Sequence, residues 1–178
     1  MNNIDWKSLP FGYFKTDCNV RCYYRNGKWG ELEYTDSEEI TMHMAATCLH
    51  YGQEAFEGMK AFRGVDGKIR LFRPYENAKR LIRSAEGVMM APVPEEMFVK
   101  ACVEVVKRNE RFVPPAGSGA SLYLRPLLIG TGAQVGVKPA NEYLFVVFAG
   151  PVGPYFKEGF KPVQIQIVED ADREIGRA

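Results

Sequence analysis

The order in which the hydrophobic periodicity changes along the chain is the sequence feature that most constrains its fold. Two turn pairs, Asn26-Gly27 and Asp66-Gly67, each separate segments rich in β-branched and aromatic residues, and both pairs tolerate a positive φ. They predict two β-hairpins in the first third of the chain. Beyond Pro74 the apolar residues recur every three or four positions, first over residues 74–89 and again over residues 94–112. This spacing predicts two consecutive amphipathic helices.

Strand patterns return after the two helices. They cover residues 121–129, 143–149 and 163–168, and the last of them alternates apolar residues with glutamines. Strands, then two helices in succession, then strands again do not fit a simple alternation of strand and helix. We therefore expect an α+β fold, a small two-layer domain in which a mainly antiparallel sheet packs against helices.

The composition is that of an ordinary globular protein. Hydrophobic residues make up 46% of the 178 residues and charged residues 25%, with 23 basic against 22 acidic side chains. This balance implies neither nucleic acid nor a membrane surface as a partner. Apolar runs such as residues 144–149 are too short to cross a bilayer, and residues 1–5 lack the features of a signal peptide. We expect a cytoplasmic protein.

The sequence predicts neither a metal site nor a dinucleotide site. Cys18, Cys22, Cys48 and Cys102 lack the paired spacing of zinc ligands and are too few for a disulfide scaffold, so we expect reduced thiols. Residues 130–136 form a glycine-rich segment after a strand, but its third glycine is displaced from the phosphate-binding pattern and no helix follows. We interpret it as a mobile loop.

Tyr123 and Arg125 are candidates for a ligand site. Side chains alternate along a strand, so both share one face, and a phenol beside a planar guanidinium suits a carboxylate. The alternative is an ordinary strand arginine paired with an acid. Arg80 lies off the apolar stripe of the first helix, where an exposed basic face is the usual role. Tyr51 and Phe56 flank a tight turn and fit either a pocket wall or core packing.

Several linked segments resemble the amino-terminal part of branched-chain aminotransferases, which are fold-type-IV pyridoxal-phosphate enzymes. The segments match in order and spacing from about Pro10 onward. They are residues 50–64, 69–74, 80–85, 121–126, 130–137 and 150–156. The resemblance implies that residues 1–178 form the amino-terminal domain of a two-domain enzyme. It implies an ordered core over about residues 10–168 and the start of an interdomain connection at residues 169–178.

The resemblance also implies roles for individual residues. Arg80 matches the arginine that binds the phosphate of the pyridoxal-phosphate cofactor. Tyr123 and Arg125 match residues that receive the side-chain carboxylate of glutamate. The other substrate-binding residues that it implies are an aromatic wall at Phe56 and Phe11 and, reaching across a homodimer, Tyr51, Val135 and Val137.

For activity, the resemblance implies a transaminase that moves the amino group between leucine, isoleucine or valine and 2-oxoglutarate. The family's cofactor-binding lysine corresponds to a position past Ala178, so none of the eleven lysines is assigned to catalysis. We expect the carboxy-terminal catalytic domain to be absent and the 178-residue polypeptide to be inactive alone. Two alternatives stay open. One is a D-amino-acid aminotransferase or aminodeoxychorismate lyase of the same fold type, and the other is a non-catalytic binding fragment.

Overall fold

The computed structural model describes residues 4–154 and 161–167. Its regular elements follow the expected order of strands, helices and strands. They are β1 (Asn19–Arg25), β2 (Lys28–Trp29), β3 (Glu33–Thr35), α1 (Thr47–Tyr51), β4 (Glu54–Phe56), β5 (Met59–Arg63), β6 (Ile69–Leu71), α2 (Pro74–Gly87), α3 (Glu95–Arg108), a 3-10 turn (Glu110–Phe112), β7 (Ser121–Gly130) and β8 (Tyr143–Val152).

The eight strands form one antiparallel sheet. Its order is β2-β1-β8-β7-β5-β6, with β3 also pairing with β1 and β4 with β7. The long strands β7 and β8 pair along their whole length at the centre. β4 and β5 share one register against β7, since Phe56 pairs with Leu127 and Met59 with Leu124. This unbroken register decides which side chains between β4 and β5 share a face of the sheet.

Both predicted hairpins are confirmed. At the turn between β1 and β2, Asn26 and Gly27 have φ values of 52° and 76°, as a type I′ turn requires. Between β5 and β6, Gly67 also has a φ of 76°. There the N–H of Gly64 donates to the carbonyl oxygen of Lys68 at 2.9 Å, so this hairpin closes through a longer loop than the first.

Helix α2 confirms the first predicted helix but ends earlier than the apolar stripe. Met89 adopts a φ of 57°, and the N–H of Met90 donates to the carbonyl oxygen of Ala85 at 2.8 Å. The N–H of Met89 also donates to the carbonyl oxygen of Glu86 at 3.1 Å. These two bonds form a Schellman cap. Val88 and Met89, which the periodicity assigns to the apolar stripe, are therefore exposed cap residues.

Helix α3 confirms the second predicted helix, and it ends where the buried side chain of Asn109 takes over. The Asn109 amide donates to the carbonyl oxygens of Val105 at 2.8 Å and Cys18 at 2.7 Å. Its own oxygen accepts the N–H groups of Asp17 at 2.9 Å and Cys18 at 3.1 Å. Asn109 thus joins the end of α3 to the segment that enters β1. The predicted helical residues 110–112 form a separate 3-10 turn.

The main core lies between one face of the sheet and the two long helices. Phe98 of α3 stacks on Phe145 of β8 with ring centroids 5.9 Å apart. The other buried helix residues in this core are Ala78, Leu81, Ala85, Ala101, Cys102, Val105 and Val106. On the opposite face a smaller cluster forms where Ile40 and Met42 pack over β7 and β8. The helices therefore cover one face, and the other face is partly open.

The architecture confirms the expected α+β class, but two local features differ from the sequence analysis. Residues 161–167 are exposed and form no strand, because no strand of the described residues pairs with them. Residues 155–156, 168 and 169–178, to which the sequence analysis assigns a motif, a strand end and an interdomain connection, lie outside the described residues. The sequence analysis did not predict helix α1, because five residues are too few to show a helical period. Among the described helices, none has the length and apolar character needed to cross a membrane.

Candidate functional site

Tyr123 and Arg125 lie on the open face of the sheet, as the alternation along β7 predicts. The Arg125 Nε donates to the Tyr123 hydroxyl at 3.0 Å, and the guanidinium lies over the Phe56 ring at 4.3 Å from its centroid. Within the described residues, no acidic side chain forms an ion pair with Arg125. The described residues therefore give no support to the interpretation of Arg125 as an ordinary strand arginine paired with an acid.

Phe11 completes this group of side chains. Its ring meets the Tyr123 ring edge to face, with centroids 5.2 Å apart and an interplanar angle of 65°. Phe56 stays 57% exposed and Phe11 45% exposed, so both rings offer apolar surface to a ligand. We call Phe11, Phe56, Tyr123 and Arg125 the Arg125 cluster. It brings together four of the residues that the sequence analysis assigns to substrate binding.

Gly58 makes room for the phenol in this cluster. The register of β4 and β5 puts Gly58 on the open face, between Phe56 and Lys60. A Cβ atom at Gly58 would lie 2.7 Å from the Tyr123 hydroxyl oxygen, which is closer than atoms in contact allow. A glycine is therefore needed at position 58 if Tyr123 is to keep its hydrogen bond with Arg125.

An open groove of about 360 Å³ borders the Arg125 cluster. Tyr123 and Gly58 line it together with the exposed rings of Phe62 and Phe72. The other lining residues are Met59, Lys60 and Asn77. The groove is mostly apolar and open, with the polar Tyr123 phenol among its lining groups.

Arg80 lies on α2 and is held by a buried carboxylate. Its Nε donates to Glu57 Oε1 at 2.6 Å, and its Nη2 donates to Glu57 Oε2 at 2.5 Å. The Glu57 side chain is 3% exposed, whereas the Arg80 side chain is 59% exposed. The hydrogen bonds that Arg80 donates to Glu57 raise the pKa of Arg80 above its ordinary value. Arg80 therefore has the exposed surface predicted from periodicity, but its guanidinium is fixed at one edge.

The free edge of this guanidinium fits a phosphate group. Arginine carries five N–H donors in a planar fork, and Glu57 accepts from Nε and Nη2. In the described part of the chain, Nη1 forms no hydrogen bond. Fixed and solvent-facing N–H donors suit an anion such as the phosphate of pyridoxal phosphate. Among the described residues, no hydrogen bond or ring contact joins Arg80 to the Arg125 cluster, and Glu57, which holds Arg80, lies on the helix side of the sheet.

Tyr51 and Val135 are brought together in a separate place. The Tyr51 hydroxyl donates to the backbone carbonyl oxygen of Val135, and the N–H of Gln134 donates to the carbonyl oxygen of Ala45 at 2.9 Å. The glycine-rich loop is thus hydrogen-bonded to α1 and to the segment before it. Val135 and Val137 are 87% and 78% exposed, so this loop presents apolar side chains outward.

The buried thiols are poor nucleophiles. Burial raises the pKa of Cys22 to about 11 and raises the pKa of Cys102 far above its usual range. All four cysteines are unpaired. Across residues 4–154 and 161–167, no group of three or more His, Cys, Asp and Glu side chains is arranged to hold a metal ion.

Sequence reasoning missed Glu57 and Asn77 as site residues. Asn77 donates to Glu57 Oε2 at 2.9 Å, and it lies three residues before Arg80 on the same face of α2. The available signal was the position of Glu57 between β4 and β5, where the alternation of side chains puts a carboxylate on the helix side among apolar residues. A carboxylate at such a buried position needs a cationic or donor partner.

No protein-family model matches the sequence. Curated proteins match it closely. A branched-chain-amino-acid aminotransferase of Helicobacter pylori is 52% identical over 161 residues, which are 90% of this chain and 47% of that protein. One of Haemophilus influenzae is 50% identical over 173 residues, which are 97% of this chain and 50% of that protein. The chain is similar to the amino-terminal half of branched-chain aminotransferases. It spans about half the length of the curated relatives it matches, and it matches their amino-terminal part.

Solved branched-chain aminotransferases share the fold. A Thermoproteus uzoniensis enzyme, determined with norvaline, superposes with a TM-score of 0.56 and 26% identity over 78% of this chain and 43% of that one. An Escherichia coli branched-chain aminotransferase superposes with a TM-score of 0.55 and 24% identity over 79% of this chain and 41% of that one. The D-amino-acid aminotransferase and lyase alternatives are not favoured, because the curated relatives are branched-chain aminotransferases.

Proposed function

We propose that this chain supplies the substrate-recognising part of a pyridoxal-phosphate-dependent branched-chain aminotransferase. The reaction moves the amino group between leucine, isoleucine or valine and 2-oxoglutarate. The observation that carries the proposal is the Arg125 cluster. Its guanidinium has no acidic partner among the described residues and lies beside the rings of Phe56 and Tyr123, and Phe11 packs on Tyr123. The similarity of the chain to the amino-terminal half of curated branched-chain aminotransferases supports the same conclusion.

The Arg125 cluster suits the two kinds of side chain that such an enzyme must accept. The rings of Phe11 and Phe56 offer apolar surface for a branched aliphatic side chain. The Arg125 guanidinium and the Tyr123 hydroxyl offer donors for the side-chain carboxylate of glutamate. Stacking on Phe56 holds the guanidinium flat, so an apolar substrate can pack beside it without displacing a salt bridge.

Arg80 would hold the cofactor phosphate in this proposal. Its solvent-facing donors fit that anion, and Glu57 keeps the guanidinium in place. Bound pyridoxal phosphate would supply an electron sink for the charge that develops at the substrate Cα. We assign no lysine of this chain to covalent attachment of the cofactor, because none of the eleven lysines matches the family's lysine motif.

The proposal includes a homodimer in which Tyr51, Val135 and Val137 contact the partner's pocket. Their support is that Tyr51 and Val135 are in contact and that both valines point outward as exposed apolar side chains. We also propose a cytoplasmic location. The two bacterial relatives are 52% and 50% identical to this chain, whereas a relative named chloroplastic in Arabidopsis thaliana is 46% identical.

A chimera tests the proposal. These 178 residues would replace the matching half of the Haemophilus influenzae relative, and glutamate formation from leucine and 2-oxoglutarate would be measured. We expect the chimera to turn over, and we expect Arg125→Lys to raise the KM for 2-oxoglutarate roughly tenfold because a lysine loses the two-point contact. The KM for leucine should change far less.

The matched control is Arg63→Lys, which alters another strand arginine whose partner is Glu110 and not a ligand. An equal rise in both KM values for Arg125→Lys, or the same effect from Arg63→Lys, would contradict the assigned role of Arg125. The 178-residue polypeptide mixed with pyridoxal phosphate should form no glutamate. Robust turnover by it would show that one of its own lysines serves catalysis.

A further inference from the structure

Glu57 is the one acidic side chain among the described residues that is buried in the helix-side layer of the sheet. Alternation along the β4–β5 register turns it toward α2, while its neighbours Phe56 and Gly58 face the open side. Its backbone is fixed as well, since the N–H of Glu57 donates to the carbonyl oxygen of Pro126 at 2.8 Å. The carboxylate therefore has a defined position before any ligand binds.

Three donors fix the carboxylate and leave it little freedom to rotate. Arg80 Nε donates to Oε1 at 2.6 Å, Arg80 Nη2 to Oε2 at 2.5 Å, and Asn77 Nδ2 to Oε2 at 2.9 Å. Asn77 also donates to the carbonyl oxygen of Gly58 at 3.4 Å. The parallel two-point contact sets the plane of the Arg80 guanidinium, and Asn77 sets the plane of the carboxylate.

Two other carboxylate–guanidinium pairs on this molecule show what is particular about Glu57. Arg70 contacts Asp66 at 2.8 and 2.7 Å, and Arg111 contacts Asp17 at 2.6 and 2.5 Å. In both of those pairs the acid is 43% exposed. Of these three pairs, the Glu57 pair alone has a buried acid and an exposed arginine. Burial of the Glu57 carboxylate costs desolvation free energy, yet its partner Arg80 remains in water. This arrangement indicates that the carboxylate orients the arginine more than it contributes to packing.

The carboxylate has two opposing effects on anion binding at Arg80. It fixes the guanidinium, so phosphate binding does not include the conformational entropy that a mobile arginine side chain would lose. It also adds a negative charge near the phosphate. Water screens that repulsion because the Arg80 side chain is 59% exposed, whereas orientation acts at contact distance. The gain from orientation should therefore exceed the loss from repulsion.

We infer that Glu57, supported by Asn77, is a positioning residue that orients the Arg80 guanidinium so that its outer N–H donors meet a phosphate group. The inference rests on the proposed role of Arg80 at the cofactor phosphate, and it adds a residue that acts through Arg80 and does not touch the cofactor. It predicts that the charge and shape of Glu57 set how tightly Arg80 binds an anion.

The experiment uses the 178-residue chain labelled with ¹⁵N, with the Nε–H signal of Arg80 assigned by its loss in Arg80→Lys. The variants are Glu57→Gln, which keeps the shape, and Asn77→Ala, which leaves the Glu57–Arg80 pair intact. Asp66→Asn, which breaks the exposed pair with Arg70, is the matched control. Lys79→Ala removes a neighbouring exposed cation. Inorganic phosphate and pyridoxal phosphate are titrated in turn while the Arg80 signal is followed.

Without any anion, we expect the Arg80 Nε–H to exchange slowly with water in the unaltered chain and quickly in Glu57→Gln. With phosphate, we expect Glu57→Gln to weaken the apparent Kd roughly tenfold, as the loss of a charged hydrogen-bond partner would. Asn77→Ala should weaken it less. Asp66→Asn and Lys79→Ala should leave both the exchange rate and the Kd close to those of the unaltered chain.

Each other outcome decides a separate point. If Glu57→Gln binds phosphate as tightly as the unaltered chain, or more tightly, while Arg80→Lys binds weakly, the positioning inference is wrong and the role of Arg80 stands. If phosphate leaves the Arg80 signal unmoved and Arg80→Lys has no effect on affinity, the proposed phosphate site is wrong. In that case the exchange rate in the anion-free Glu57→Gln chain still decides whether Glu57 orients Arg80. Should Glu57→Gln not fold, Asn77→Ala takes its place, and an unchanged Kd in that variant counts against the inference.

Discussion

At the scale of single residues, Gly58 has the most direct consequence for the site. Its missing side chain leaves space for the Tyr123 hydroxyl, which would otherwise lie 2.7 Å from a Cβ atom. We expect Gly58→Ala to push the phenol away from Arg125 and to raise the KM of the chimera for 2-oxoglutarate by about threefold to tenfold, since one hydrogen bond is lost or bent. Steady-state kinetics with each substrate varied in turn measures this change.

Gly64→Ala is a control of equal crowding for the Gly58 prediction. A Cβ atom at Gly64 would lie 2.7 Å from Arg70 Nη1 and 2.7 Å from Asp66 Oδ1, at the far side of the β5–β6 hairpin. It should strain the hairpin without changing the KM for 2-oxoglutarate. Equal KM changes in both variants would mean that general loss of stability, and not displacement of Tyr123, explains the effect of Gly58→Ala.

At the scale of elements, Asn109 connects helix α3 to the segment that leads into β1. Its fully buried side chain makes four hydrogen bonds, to Asp17, to Val105 and twice to Cys18. Asn109→Ala leaves buried backbone groups without partners, and we expect it to lower the free energy of unfolding by about 2–4 kcal/mol. Urea denaturation followed by circular dichroism gives this value.

Exposed Asn141 provides the comparison for Asn109. Asn141→Ala should change the free energy of unfolding by less than about 0.5 kcal/mol, as most surface substitutions do. A similarly small loss for Asn109→Ala would mean that water replaces the amide in the cavity and that α3 does not depend on this connection.

The sequence predicted the elements better than it predicted the site. The turn at Asn26-Gly27 and the shared face of Tyr123 and Arg125 follow from local rules of backbone conformation and alternation, so both could be stated in advance. The end of α2 could not, because Met89 occupies a left-handed conformation that glycine usually takes. The Glu57–Arg80 pair joins residues 23 positions apart, and only the packing of α2 on the sheet brings them together.

At the scale of the whole molecule, the open face of the sheet is the surface through which we expect copies of the chain to associate. Phe62 and Phe72 are 49% and 77% exposed and border the same groove. Contiguous apolar surface of this kind favours contact with another protein surface. We expect the 178-residue chain to associate as its concentration rises, and we expect Phe72→Ser to lower the average mass measured by light scattering.

Val88→Ser is the matched control for the association prediction, because Val88 is an exposed apolar residue at the end of α2, away from the groove. Its average mass should equal that of the unaltered chain. A chain that stays monomeric at high concentration would show that the apolar surface of the open face is too small to drive association.

The unbroken register through Phe56, Glu57 and Gly58 makes the length of this segment as important as its composition. Successive positions face the open side of the sheet, the helix layer and the open side again. One inserted or deleted residue would turn the aromatic wall inward and the acid outward, and it would put a bulky side chain against the Tyr123 phenol. Three neighbouring positions thus couple the substrate side and the anion side of the sheet, so neither side can change its spacing without disturbing the other.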